Sequence, residues 1–193
     1  MERNFYWVRL GDVPQWLLET PIRDSGEAFD EPWMFADGRV LPDSGPIKAQ
    51  ISHPGKKRAF VFAGVEGTPI VSEALANVFR TLAPDDVQLF PVSIERESEQ
   101  YFVVNAIKVV DAIDEARCRE VHHYDEPSPD YPGEYNWIYG LRIDPSKTEG
   151  AHVFRLKKFK TAFIVSEEVK DTHERVGNLG VSFERVTEAP DLH

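Results

Sequence analysis

The residues best equipped for chemistry in this sequence are Cys118, His122 and His123, which lie close together. Thiolate and imidazole both bind zinc, but a closed site needs about four donors, and so a return pair elsewhere in the chain. His152 and His173 are not spaced as such a pair. A lone thiol beside two loop histidines is the simpler reading. A thiol nucleophile would need a base within hydrogen-bond reach and a lowered pKa, and spacing supplies neither. Asp111 with Asp114, or Asp125 with Asp130, could serve as acid and base only if folding set them a few ångströms apart across a substrate. Among 33 acidic residues some near pairs arise by chance. Gly64-Val65-Glu66-Gly67 lacks the Lys-Ser/Thr of a phosphate-binding loop, and no Gly-x-Ser-x-Gly elbow occurs. Lys157, Lys158 and Lys160 make a basic patch without the interleaved aromatic residues of a nucleic-acid surface. No catalytic residue, metal ligand or cofactor is assigned.

Residues 122–136 point to binding instead. They read as a long loop in which the acids Asp125, Glu126, Asp130 and Glu134 alternate with Tyr124, Tyr131 and Tyr135. Tyrosine gives a large contact area at low entropy cost, and carboxylates beside it steer a basic partner. These are the candidate partner-binding residues.

The elements that must position such a loop carry an internal repeat. Shifted by 94 residues, Ile70-Val71-Ser72-Glu73 falls on Ile164-Val165-Ser166-Glu167, and residues 46–94 match 140–188 without a gap. Leu75, Val78, Phe79 and Leu82 have the spacing of one helix face. Their counterparts Val169, Thr172, His173 and Val176 keep it, which puts His173 on an inner face. Ser72 and Ser166 sit where an N-cap belongs, Pro84 stops the first helix, and Gly177 stops the second. Each copy therefore reads as strand–helix–strand, ending in strands at 87–94 and 181–186. Residues 101–110 read as a further strand, 114–121 as a short helix, and 24–46 as irregular. The expectation is an α+β fold, mainly antiparallel, in a single domain spanning 1–193.

Lys plus Arg number 22 against 33 acids, for a net charge of −11. Nucleic-acid affinity rests on neutralising phosphates, so that class of partner is not expected, nor is an anionic membrane surface. The repeats carry almost none of the charge: residues 1–45 sum to −5 and 95–139 to −7. An acidic surface suits a basic partner. One cysteine allows no intrachain disulfide, and the first residues hold no apolar run of signal-peptide length. Both favour a cytoplasmic setting.

Several strings are familiar together: Asp30-Glu31-Pro32-Trp33-Met34-Phe35, Leu82-Ala83-Pro84-Asp85-Asp86-Val87, Gln100-Tyr101-Phe102-Val103-Val104-Asn105, Gly140-Leu141-Arg142-Ile143-Asp144-Pro145 and Ala162-Phe163-Ile164-Val165-Ser166-Glu167. In this order they resemble family eleven of the immunity proteins of bacterial polymorphic toxin systems, formerly a domain of unknown function abundant in myxobacteria. The resemblance implies a non-enzymatic protein that neutralises a cognate toxin by direct binding. It carries over no site residue, because the shared strings read as structural. Two other readings stay open: a hydrolase whose carboxylates or histidines only the fold assembles, and a self-associating structural or regulatory module.

Overall fold

The computed structural model describes residues 3–124 and 134–187. Among the described residues the strands run in chain order: β1 (Phe5–Leu10), β2 (Leu17–Leu18), β3 (Ile22–Arg23), β4 (Ile47–Ala49), β5 (Ile51–His53), β6 (Phe60–Ala63), β7 (Thr68–Ser72), β8 (Val87–Ile94), β9 (Tyr101–Ala106), β10 (Val109–Val110), β11 (Glu120–His123), β12 (Tyr135–Tyr139), β13 (Val153–Leu156), β14 (Phe159–Ser166) and β15 (Val181–Arg185). Helix α1 (Glu73–Leu82) follows β7 and α2 (Glu167–Val176) follows β14. One sheet has the order β3-β4-β8-β9-β7-β6 and the other β10-β13-β14-β1-β15, with small pairs β2-β5 and β11-β12 beside them. Among the described residues the named strands pair antiparallel except β4 with β8 and β10 with β13. The fold is α+β and predominantly antiparallel.

The two helices begin 94 residues apart and are each ten residues long. Glu73 and Glu167 open them, favourably placed at the positive end of the helix dipole. Ser166 caps α2 by accepting from the Val169 N–H, whereas Ser72 makes no such bond. Ser72 holds the N-cap position of α1 through its extended backbone alone. α1 ends with Ala83, before Pro84, and α2 ends at Gly177, whose φ of 80° suits a residue without a Cβ.

In each large sheet the strand before the helix and the strand after it flank one further strand. That strand is β9 between β7 and β8, and β1 between β14 and β15. The Glu73 N–H donates to the Gln100 carbonyl just before β9, and the Glu167 N–H to the Asn4 carbonyl just before β1. So the central strand is supplied from downstream in one sheet and from the N-terminus in the other. The gapless 94-residue match does not survive in the strands before the helices. Phe60 pairs with Val71, but Val153, not Phe154, pairs with Val165. The turns joining these hairpins differ in length, and a one-residue slip flips a side chain to the opposite face. Phe60 therefore lies in the core between the sheets, while Phe154 lies on the far face of its own sheet.

That central core joins Leu75, Val78 and Phe79 of α1 and Val169 of α2 to Val71, Val87, Val104, Val153, Phe163, Val165 and Val181. His173 is fully buried, its ring 4.7 Å from that of Phe79. The turn after α1 ties the units together. The buried Asp86 carboxylate accepts from the His152 and Val153 N–H groups at 2.7 and 3.1 Å. Asp86→Ala would leave both donors unmet, and should cost about 2–4 kcal/mol, since hydrogen bonds to charged groups contribute about 1.5–3 each. Urea unfolding measures this; a loss under 1 kcal/mol would show that the turn does not clamp β13.

Two local expectations are corrected. Residues 114–121 do not form a helix: the Cys118 N–H reaches back to the Asp114 and Glu115 carbonyls for a single turn, and the Arg119 N–H then bonds the Tyr139 carbonyl. Residues 122–136 are not all loop either, since His122 and His123 end β11 while Tyr135 and Asn136 begin β12. The cause is the alternation of Val121 and Ile138, which face inward together across the ladder. Burying that pair outweighs a short helix with no apolar stripe of its own.

Candidate partner-binding surface

The β11–β12 hairpin packs its inner side on the outer face of the five-stranded sheet, where Val121, Ile138 and Tyr135 join Phe5, Phe154, Phe159 and Ile164. Its other side is solvent-facing and pairs Glu120 with Tyr139 and His122 with Trp137. Trp137 is 40% exposed, Tyr139 54% and Tyr124 46%. The His122 ring stacks flat on Trp137, centroids 4.0 Å apart and planes 13° apart. Its Nε2 lies 2.8 Å from a Glu120 carboxylate oxygen. The Arg119 guanidinium sits 5.1 Å from the Tyr139 ring centre.

The register shifts between His122 and His123, where β12 carries one extra residue, Asn136. Such a bulge re-aims side chains. It lets Tyr135 point inward while Trp137, two residues on, points out. Of the expected binding residues, Tyr124 is exposed and Glu134 half-buried. Tyr135 is 9% exposed, and its hydroxyl donates to Glu115. Burial, reinforced by that carboxylate, holds the phenol above its ordinary pKa. Its ring is part of the core and its surface cannot serve a partner. Asp125, Glu126, Asp130 and Tyr131 lie outside the described residues.

Reading tyrosines within the loop did not anticipate the exposed rings of Trp137 and Tyr139. The signal was available in the alternation of exposed and buried positions along a strand, but a bulge hides it from simple counting.

The soft-ligand cluster separates in space. The Cys118 Sγ accepts from the Arg142 N–H at 3.3 Å, and burial raises the thiol's pKa. His122 is engaged by Trp137 and Glu120, and His123 lies against Tyr135. Among the described residues no group of three His, Cys, Asp or Glu could hold a metal ion. Asp111 pairs with Lys157 and Asp114 with Arg117, so each carboxylate faces a cation and not the other.

A second concavity of about 980 Å³ opens beside the ends of the two large sheets, lined by Trp7, Leu10, Leu17, Trp33, Phe62 and Val65 among others. It is mainly apolar, and two charged groups at its wall are already engaged. Arg9 bonds Glu184, and Glu66 accepts from the Thr20 hydroxyl at 2.6 Å.

The strings that recur in the fold — the Asp86 clamp, the Ser166 cap, the buried strand β9 — are those that a shared architecture would keep. The immunity protein family (Imm11) matches residues 41–188 of the chain. The chain belongs to that immunity protein family. The match takes in both helices, most of the two large sheets and the whole hairpin. No curated protein matches the chain. Among the described residues, no helix is long and apolar enough to cross a membrane.

Proposed function

We propose that this chain neutralises a cognate bacterial toxin by binding it directly, without catalysis, in the cytoplasm of the cell that makes the toxin. The observation that carries the reading is the family match over residues 41–188. The exposed aromatic hairpin and the net charge of −11 support it. Tyrosine and tryptophan dominate binding hot spots, and an acidic surface accelerates encounter with a basic partner. The contact on this reading lies in and around residues 122–136, and the toxin is basic. A nucleic-acid partner does not fit the charge.

Co-expression with the product of the adjacent gene tests the reading. Rescue of growth together with co-purification of a stable complex is expected; rescue without any complex would count against direct binding. Reversing the charge at Asp125, Glu126, Asp130 and Glu134 should weaken that complex while changing stability by only about 0.5 kcal/mol per site. Unchanged affinity would move the contact elsewhere, with the acidic first 45 residues as the next place to look.

A further inference from the structure

We infer that the outward face of the β11–β12 hairpin, centred on Trp137 and Tyr139 with Glu120, His122 and Tyr124 around them, is a docking surface for an arginine- or lysine-bearing segment of a partner protein. The inference rests on the toxin-binding reading for the partner's identity, and on the hairpin alone for its chemistry.

Three observations select the occupant. First, the face is apolar where a two-stranded sheet would normally be polar. Trp137 and Tyr139 stand on the solvent side of a hairpin whose inner side already has its core. Exposed rings grouped on one face mark interaction sites more often than scattered ones do. Second, the cation at this face is supplied by the chain itself, and Glu120 stands beside it. Among the described residues from Glu120 to Tyr139, the charged side chains besides the histidines are Glu120 and Glu134. Acid is placed at the face itself by Glu120, which is 56% exposed and pairs across the ladder with Tyr139. Third, that cation already sits on a ring, with the Arg119 guanidinium over Tyr139 at 5.1 Å. An indole or phenol ring attracts a cation at its face, and the attraction grows when water is excluded. A partner's arginine would lie against the ring of Trp137 on the side away from His122, with Glu120 close by to pair with it. A second copy of this acidic chain would be repelled, as would a phosphate backbone.

The test uses the whole chain with Trp137→Ala/Tyr139→Ala and, separately, Glu120→Gln/Glu134→Gln. Both pairs of sites are exposed or half-buried, and thermal melting checks that each variant folds. Against the adjacent-gene toxin, the aromatic double variant should lose at least about 30-fold in affinity, the loss expected on truncating one hot-spot residue. The glutamine variant should lose less, and mainly in association rate at low salt. Wild-type affinity in a folded aromatic variant would overturn the inference while leaving the toxin-binding reading intact.

If the wild-type chain binds no such toxin, the toxin-binding reading fails and the hairpin is judged by a second probe. A nona-arginine peptide is titrated into chain labelled with nitrogen-15 at tryptophan. A shift of the Trp137 indole resonance, reversed by salt and absent with nona-glutamate, supports the inference. A shift spread over the other three tryptophans with Trp137 unmoved, or a stronger shift with an oligonucleotide, overturns it.

Discussion

Replacing Phe79 by alanine will lower the unfolding free energy by roughly 3–5 kcal/mol. The ring is fully buried, and it is the point at which the two helices and both sheets meet. It stands edge-on to His173 at 4.7 Å and to Phe163 at 6.4 Å. Truncation removes the transfer free energy of the ring and leaves a cavity bounded by residues from both sheets, which cannot close without separating their other contacts. Urea denaturation at neutral pH reads the loss directly. A cost near 1 kcal/mol would mean that the core between the sheets is loose enough to refill, contrary to its packing here.

The second large effect is acid sensitivity centred on His173. Desolvation pushes the pKa of this buried imidazole down to about 4 from an ordinary 6.5, with the Leu75 backbone opposing the shift. Neither ring nitrogen makes a well-formed hydrogen bond. The folded chain therefore binds fewer protons than the unfolded chain between these two values. Stability from the neutral ring is present above pH 6.5 and is lost as pH falls toward 4. At 1.36 kcal/mol per pKa unit, the loss is about 3 kcal/mol. Other groups also titrate in that range, so the comparison is with His173→Leu. This volume-conserving change should alter stability at pH 7 by less than about 1.5 kcal/mol. It should remove most of the extra loss at pH 4. Parallel stability–pH curves for the two proteins would show that His173 is not the acid-sensitive group.

Phe79 and His173 occupy equivalent places in the two strand–helix–strand units, and this much could be read from the sequence. The helix face, the Ser166 cap and the ends of both helices follow from spacing, serine, proline and glycine, all local signals. The strands β7, β8, β14 and β15 follow from β-branched runs with the same alternation. What could not be read is non-local. Nothing in the residues of β1 says that it enters between β14 and β15 as β9 enters between β7 and β8. The slip that sends Phe60 inward and Phe154 outward depends on hairpin turn lengths. Arg155 is a charged residue in β13, yet it is fully buried, donating to the Lys160 and Thr161 carbonyls and lying 4.9 Å from the Phe163 ring centre. Burial lowers its pKa to about 9.

The exposure of this part of the chain was only partly legible. Of the tyrosines among acids at 122–136, Tyr124 is exposed, and Tyr131 lies outside the described residues. Tyr135 proved to be core, because the bulge at Asn136 turns it inward. The same bulge brings Trp137 outward, and no count of aromatic residues within the loop could anticipate a side chain re-aimed by one extra residue.

The most direct measurement is a titration of the purified toxin's activity with this chain. Neutralisation by direct binding predicts that activity falls linearly and ends at one chain per toxin. It also predicts that active toxin returns when the complex is denatured and separated. Loss of activity at a small fraction of that ratio, with the toxin permanently altered, would contradict binding and make the chain an enzyme.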